Sequence, residues 1–281
     1  MHGDPNRHDA CSFWCHIVLP TLASRRLEPG GVVLPRGIRK LKSLHTLGVV
    51  SIANGKAILE GIKRLTQLRK LAVRGINQKN SQEFCSTLTN LSRLESLSVQ
   101  SIGESGLHGY LDGVSSPPNN LQSLKVNGTL VKLPEWIGGL QSLVKLALRS
   151  TALTEVDGTM RVLGELPNLA TLRLRGYTFR DEDFNLTFHR EAFPSMMVLE
   201  LFRVSGLGSV EFKDGTTLKL ELLRFDHYFS LSNQGFFSGL ASLRNLKEFM
   251  LDNSRYKDEF LKDVQDQLAA NPNGRPVLKR G

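Results

Sequence analysis

Leu143-Val144-Lys145-Leu146-Ala147-Leu148 sets three leucines at the first, fourth and sixth places of a six-residue frame. The same frame reads Leu68-x-x-Leu71-x-Val73 and Leu94-x-x-Leu97-x-Val99, and it starts again at Leu44, Leu121, Leu169, Met196, Leu220 and Leu246. Successive starts lie 24, 26, 27, 22, 26, 27, 24 and 26 residues apart. Side chains alternate along a strand, so the last two prongs share one face of a short strand, while the first fixes the turn ahead of it. A single unit cannot bury that face alone. Neighbouring units must stack and share one long core.

A period of roughly 20–29 residues built on L-x-x-L-x-L is the mark of a leucine-rich repeat solenoid. The expected fold is therefore α/β: a curved parallel sheet on the concave face, with helices or loops on the convex face. One period covers most of the 281 residues, which argues for a single elongated domain. Residues 1–30 do not fit the frame and read as a polar leader or broken repeat. About nine repeats span 31–256. Residues 257–281 read as a capping helix and tail, since Phe260, Leu261, Val264 and Leu268 share a helical face that Asn271-Pro272-Asn273-Gly274 ends. No comparable cap is legible at the N-terminal end, which suggests the tail of something longer or a partner at that end.

Between ladders, apolar residues at helical spacing predict crossings through Ala57, Ile58, Ile62 and Leu65, and through Phe84, Leu88 and Leu91. Ser101 to Asn120, rich in glycine and proline, reads as loop. Tyr177 to Glu191 reads as a long loop of mixed charge around Arg180-Asp181-Glu182-Asp183. Leu218-Lys219-Leu220-Glu221-Leu222-Leu223 permits a register slip by two.

Composition is that of an ordinary soluble chain, 40% hydrophobic and 22% charged. The formal net charge of +9 invites an acidic protein, nucleic acid or anionic membrane as partner, and the excess is spread along the repeats. Cys11, Cys15 and Cys85 form no paired framework, which fits reduced thiols. Phe13 to Ala23 is a poor signal-peptide core, broken by His16 and Pro20 and preceded by Asp4 and Asp9. No segment approaches the ~20 apolar residues of a membrane span.

Chemistry is hard to find. His8, Cys11, Cys15 and His16 match no common zinc-site spacing. Gly206-Leu207-Gly208 lacks the third glycine of a dinucleotide site, and Asp226-His227 with scattered serines makes no triad. The sequence points to a non-catalytic protein with no cofactor and no metal.

The strand positions flanking the buried prongs carry the functional signal. In the first frame these are Thr46, Gly48 and Val50. The next five present Lys70, Arg74, Lys125, Lys145, Arg149, Arg173 and Arg175, seven cations and no acid. The last three present Glu200, Phe202, Asp226, Glu248, Met250 and Asp252, with Arg224 as their one cation. Solvated strand positions are often charged, and that bland account stands beside a sharper one: a basic stripe followed by an acidic-apolar patch. Like charges on neighbouring strands repel by some tenths of a kcal/mol each. A scaffold has no use for that cost, which favours an anionic partner surface.

Several stretches resemble a known family. Leu133-Pro134-Glu135-Trp136-Ile137-Gly138-Gly139-Leu140-Gln141-Ser142-Leu143 and Leu34-Pro35-Arg36-Gly37-Ile38 are similar to the repeats of plant intracellular immune receptors of the nucleotide-binding, leucine-rich repeat class. So is Phe193-Pro194-Ser195-Met196, and Asn271-Pro272-Asn273-Gly274 resembles the end of cereal members with a coiled coil. The resemblance implies a cytoplasmic or nuclear recognition module whose ligand is a pathogen effector, a guarded host protein or a nucleotide-binding switch domain. The switch itself is not carried over. Gly55-Lys56 is followed by Ala57 with no Gly-x-x-x-x before it, so no phosphate-cradling loop is present. Two alternatives remain open: an extracellular or other repeat adaptor, marked by oxidised cysteines and glycans at Asn127 and Asn185, and a nucleic-acid binder. The basic strands offer the latter no aromatics on which to stack bases.

Overall fold

A computed structural model describes residues 36–53, 55–103, 106–217, 219–228, 234–252, 256–274 and 276–281. The leader, with His8, Cys11, Cys15 and His16, lies outside them. In chain order the strands are β1 (Thr46–Ser51), β2 (Lys70–Arg74), β3 (Ser96–Gln100), β4 (Ser123–Asn127), β5 (Lys145–Arg149), β6 (Thr171–Arg175) and β7 (Phe184–Phe188). They continue as β8 (Val198–Phe202), β9 (Leu207–Phe212), β10 (Leu222–Asp226), β11 (Phe237–Ser238), β12 (Glu248–Leu251) and β13 (Val277–Arg280). The helices are α1 (Lys56–Lys63), α2 (Ser81–Asn90), α3 (Val156–Gly164) and α4 (Asp258–Ala269). Ten strands form one parallel sheet in the order β1-β2-β3-β4-β5-β6-β8-β10-β12-β13.

The ladder explains that sheet residue by residue. The amide of each first prong donates to the carbonyl three residues back, as Leu68 does to Leu65 at 2.9 Å and Leu143 to Leu140 at 3.3 Å. The chain then enters its strand, and one carbonyl of the preceding repeat takes two successive amides: His45 O accepts from Arg69 and Lys70 at 2.8 and 2.9 Å. Register is thus fixed before the strand begins. All nine first prongs and all nine second prongs are buried. Eight of nine third prongs are too, and the degenerate eighth frame settles with Leu220, Leu223 and Phe225 inward and Leu222 half-buried.

The first repeat departs from the frame. Pairing runs Leu47 to Leu71, then Val49 to Ala72 and Val50 to Val73, so Gly48 is an extra residue in β1. Such a bulge flips everything after it. Val49 is 46% exposed and Val50 is 1% exposed, the reverse of the expectation that placed Val50 on the open face.

The convex side is partly helical as expected. α1 buries Leu59 and Ile62, α2 buries Phe84 and Leu88, and these two helices pack together. Ala57 is exposed, so Leu59 holds the place expected of it. Of Ser101 to Asn120, the described residues form turns. Gly106 sits at φ +62°, and a Cβ there would meet the Thr129 carbonyl oxygen at 2.9 Å.

Two features were not expected. Tyr177 to Glu191 is not only loop: it contains β7, which joins β9 and β11 in a second, three-stranded parallel sheet on the convex side. Phe184, Leu186 and Phe188 alternate inward, and Phe188 stacks on Phe212 at 4.8 Å between centroids. Past α4, which buries Phe260, Leu261, Val264 and Leu268, the tail returns as β13 and pairs with β12. Arg280 pairs with Leu251, a core position, yet is exposed. A cation at the third-prong place ends the apolar ladder, and charge on an edge strand discourages further pairing.

Candidate functional site: the open face of the long sheet

Strands β2 to β5 alternate buried and open positions as the ladder requires, β6 does so from Leu172 onward with Thr171 buried, and Lys70, Arg74, Lys125, Lys145, Arg149, Arg173 and Arg175 all fall on the open face. In-register pairing arranges that face in rows. The middle row runs Ala72, Ser98, Lys125, Ala147, Arg173, Glu200, Arg224, Met250. The row at the C-terminal ends of the strands runs Arg74, Gln100, Asn127, Arg149, Arg175, Phe202, Asp226. A hollow of about 540 Å³ indents the face, lined by Lys125, Arg149, Arg173, Arg175 and Arg224 with Glu200 and Phe202 at one side.

The charges are not distributed as the sequence suggested. Each expected acid has a cation beside it. Glu200 accepts from Arg173 Nε at 2.8 Å, so Arg173 is not free of carboxylate as its isolation in sequence implied. Asp226 pairs with Arg203 at 2.8 Å, Glu248 with Lys279 at 2.7 Å, and Asp252 with Arg224 through a two-pronged contact whose Nη2–Oδ1 arm is 3.0 Å. The acidic-apolar patch is therefore an ion-paired surface, close to neutral, with Met250 and Phe202 as its half-buried apolar groups. Asp226 itself is 1% exposed and lies beneath the face rather than on it. Its Oδ1 has no hydrogen-bond partner among the described residues. Burial and then the negative charge of Asp226 push the Tyr256 phenol up from its ordinary value.

By contrast Lys70, Arg74, Lys125, Lys145, Arg149 and Arg175 have no ion-pair partner among the described residues. Arg175 instead lies over the Phe202 ring at 4.3 Å, and Arg203 approaches the same ring at 5.3 Å. That contact covers the aromatic surface a base would need. Arg203 and Lys279 were missed from sequence because neither belongs to a ladder frame: one follows β8, the other sits in the unforeseen β13. Among the described residues no group of three or more His, Cys, Asp or Glu could hold a metal, and no helix is long and apolar enough to cross a membrane.

Residues 21–276 match the family described as leucine-rich repeat region. The chain belongs to the leucine-rich repeat family. Its curated relatives are plant disease resistance proteins, in line with the resemblance carried by the ladder and its Leu-Pro turns. Disease resistance protein Pik-2 of Oryza sativa subsp. japonica is 26% identical over 93% of this chain and 28% of its own length. Disease resistance protein PIK6-NP of the same rice is 33% identical over 47% of this chain and 13% of its own length. Disease resistance protein RPM1 of Arabidopsis thaliana is 24% identical over 67% of this chain and 20% of its own length. This leucine-rich repeat chain thus spans under a third of the length of the relatives it matches. Among solved structures, an internalin C2 from Listeria monocytogenes covers 79% of this chain and 84% of its own at 20% identity, with a TM-score of 0.43. A likeness of that size carries nothing on function. Neither the family nor the relatives indicate an enzyme class.

Proposed function

We propose that this chain is the non-catalytic recognition module of a plant intracellular immune receptor, working in the cytoplasm or nucleus. It captures a protein on the open face of the long sheet. Pathogen effectors, guarded host proteins and a nucleotide-binding switch domain are the partner classes that its resistance-protein relatives suggest. The observation that supports this reading is the set of six cations with no ion-pair partner among the described residues, beside an ion-paired stretch close to neutral that carries the half-buried apolar groups Phe202 and Met250. Complementary charge steers association and selects partners, while the apolar groups supply the desolvated contact.

The test is charge reversal at unpaired positions. Lys145→Glu with Arg149→Glu should leave circular dichroism and melting unchanged, since exposed strand substitutions stay within about 0.5 kcal/mol each. Partner capture from plant extract should be lost, and it should return when matching acids on the identified partner are reversed. A double variant that captures the same protein as strongly as the parent refutes the reading.

A further inference from the structure

Ala147 stands at the centre of a cross of cations. In register across the sheet its neighbours are Lys125 on β4 and Arg173 on β6, and two residues to either side on β5 lie Lys145 and Arg149. All five belong to the open face. Neighbouring strands are ~4.8 Å apart, and same-face residues along a strand are roughly 6.7 Å apart. Four long cationic side chains therefore surround a floor made by one methyl group. Two hollows of about 540 and 210 Å³ meet there, sharing Lys125, Ala147 and Arg173. Among the described residues one carboxylate, Glu200, pairs with any of the four, and it takes Arg173 from the side away from Ala147 in the row.

We propose that this cross seats the phosphate of a phosphorylated side chain, carried on an extended segment of a protein partner. The proposal rests on the open face being the partner surface and names what that surface reads. A carboxylate brings one negative charge, whereas a phosphoryl group brings about −1.5 to −2 and three strong acceptor oxygens. Only the second matches cations arriving from four sides. Arg149 and Arg173 offer planar forks suited to two oxygens at once, and the lysines supply mobile point charges. The methyl floor leaves depth that a long side chain would fill. The hollow also continues past the cross to Gln100 and Asn127, whose amide groups can pair with the backbone of a segment. A free anion would leave them idle. A nucleotide would need a ring to stack on, and Arg175 already covers Phe202.

The test measures anisotropy of a labelled nine-residue Gly/Ser peptide with one central phosphoserine, against its unphosphorylated twin and its aspartate twin, on the full chain at ~0.1 M salt. The phosphopeptide should bind at least about tenfold tighter than either twin. Ala147→Glu, which plants a carboxylate on the floor, should remove that preference while Ala147→Ser keeps it, both with the parent's melting profile. Equal binding of the three peptides, or a preference that survives Ala147→Glu, overturns the proposal. Inorganic pyrophosphate binding as tightly as the phosphopeptide overturns it as well, by assigning the cross to a soluble anion. If the preference is missing but Lys145→Glu with Arg149→Glu still abolishes partner capture, the cross fails and the partner surface stands.

Discussion

Removing the Arg203 side chain should damage this protein more than removing both members of its ion pair. Asp226 is 1% exposed and Arg203 is 49% exposed, so the pair is lopsided: a carboxylate held out of water by a cation that still touches it. Asp226 Oδ1 is already without a hydrogen bond among the described residues, which leaves the 2.8 Å contact from Arg203 as its main direct support. Breaking a buried pair from one side costs about 3–5 kcal/mol, because a buried charge is left uncompensated. Arg224 lies two residues back along β10 and is attracted to Asp226, so a second cation remains nearby, which moves the expectation to the low end, ~3 kcal/mol. Arg203→Met should therefore lose about that much in urea unfolding at neutral pH. Arg203→Met with Asp226→Leu should recover most of it, since a volume-matched apolar pair in place of a buried ion pair is often neutral or better. As a control, Lys247→Met breaks the exposed pair with Glu221 and should stay within about 1 kcal/mol. A single variant costing under ~1 kcal/mol, or a double variant no better than the single, would show that Asp226 is not the stranded charge described here.

Leu146, 1% exposed between Leu124 and Leu172, should cost about 3–5 kcal/mol as Leu146→Ala, read by urea unfolding, and parent-like stability would mean it is not a core prong. The bulge in β1 separates two adjacent valines: Val50→Asp should lower the melting temperature sharply while Val49→Asp should barely change it, and the opposite order would restore the uninterrupted frame. Alkaline behaviour follows from Tyr256. Its phenol is held above the unfolded value of about 10, so the stability it contributes is complete below that pH and is lost as pH rises further. Tyr256→Phe should flatten the decline measured above pH ~10, and an unchanged slope would place its cause elsewhere.

Most of the architecture was legible because the ladder states it locally. Leu68, Leu71 and Val73 each announce a position within six residues, and the period does the rest. What stayed hidden depends on information the frame does not contain. Val49 and Val50 are chemically alike, so only pairing with Ala72 and Val73 reveals the extra residue at Gly48. Phe184, Leu186 and Phe188 do alternate with the period of a strand, but Asp181, Glu182 and Asp183 just ahead of them gave the segment the composition of a loop. β13 is four residues long and mostly exposed, with Leu278 its one partly buried leucine, too little to read as a strand. Alternation alone puts the seven cations of β2 to β6 on the open face, but it misplaces Val50 and Asp226, which are buried, and it says nothing of how the charges pair. Arg203 and Asp226 are 23 residues apart, Glu248 and Lys279 are 31, and such pairs exist only once neighbouring repeats lie side by side.

The second sheet has a geometric consequence. Helices need about 8–10 Å between axes, whereas strands need ~4.8 Å, so a sheet backed by helices is wedged open on that side and must bend. Where β7, β9 and β11 replace helices behind β6, β8, β10 and β12, both layers advance at the same pitch and the wedge disappears. Bending should then concentrate behind β1 to β3, where α1 and α2 provide it, and the C-terminal repeats should form a straight, doubly zipped beam. A partner docking on this face as proposed would meet a curved surface at the basic end and a straight one at the end bearing Phe202 and Met250.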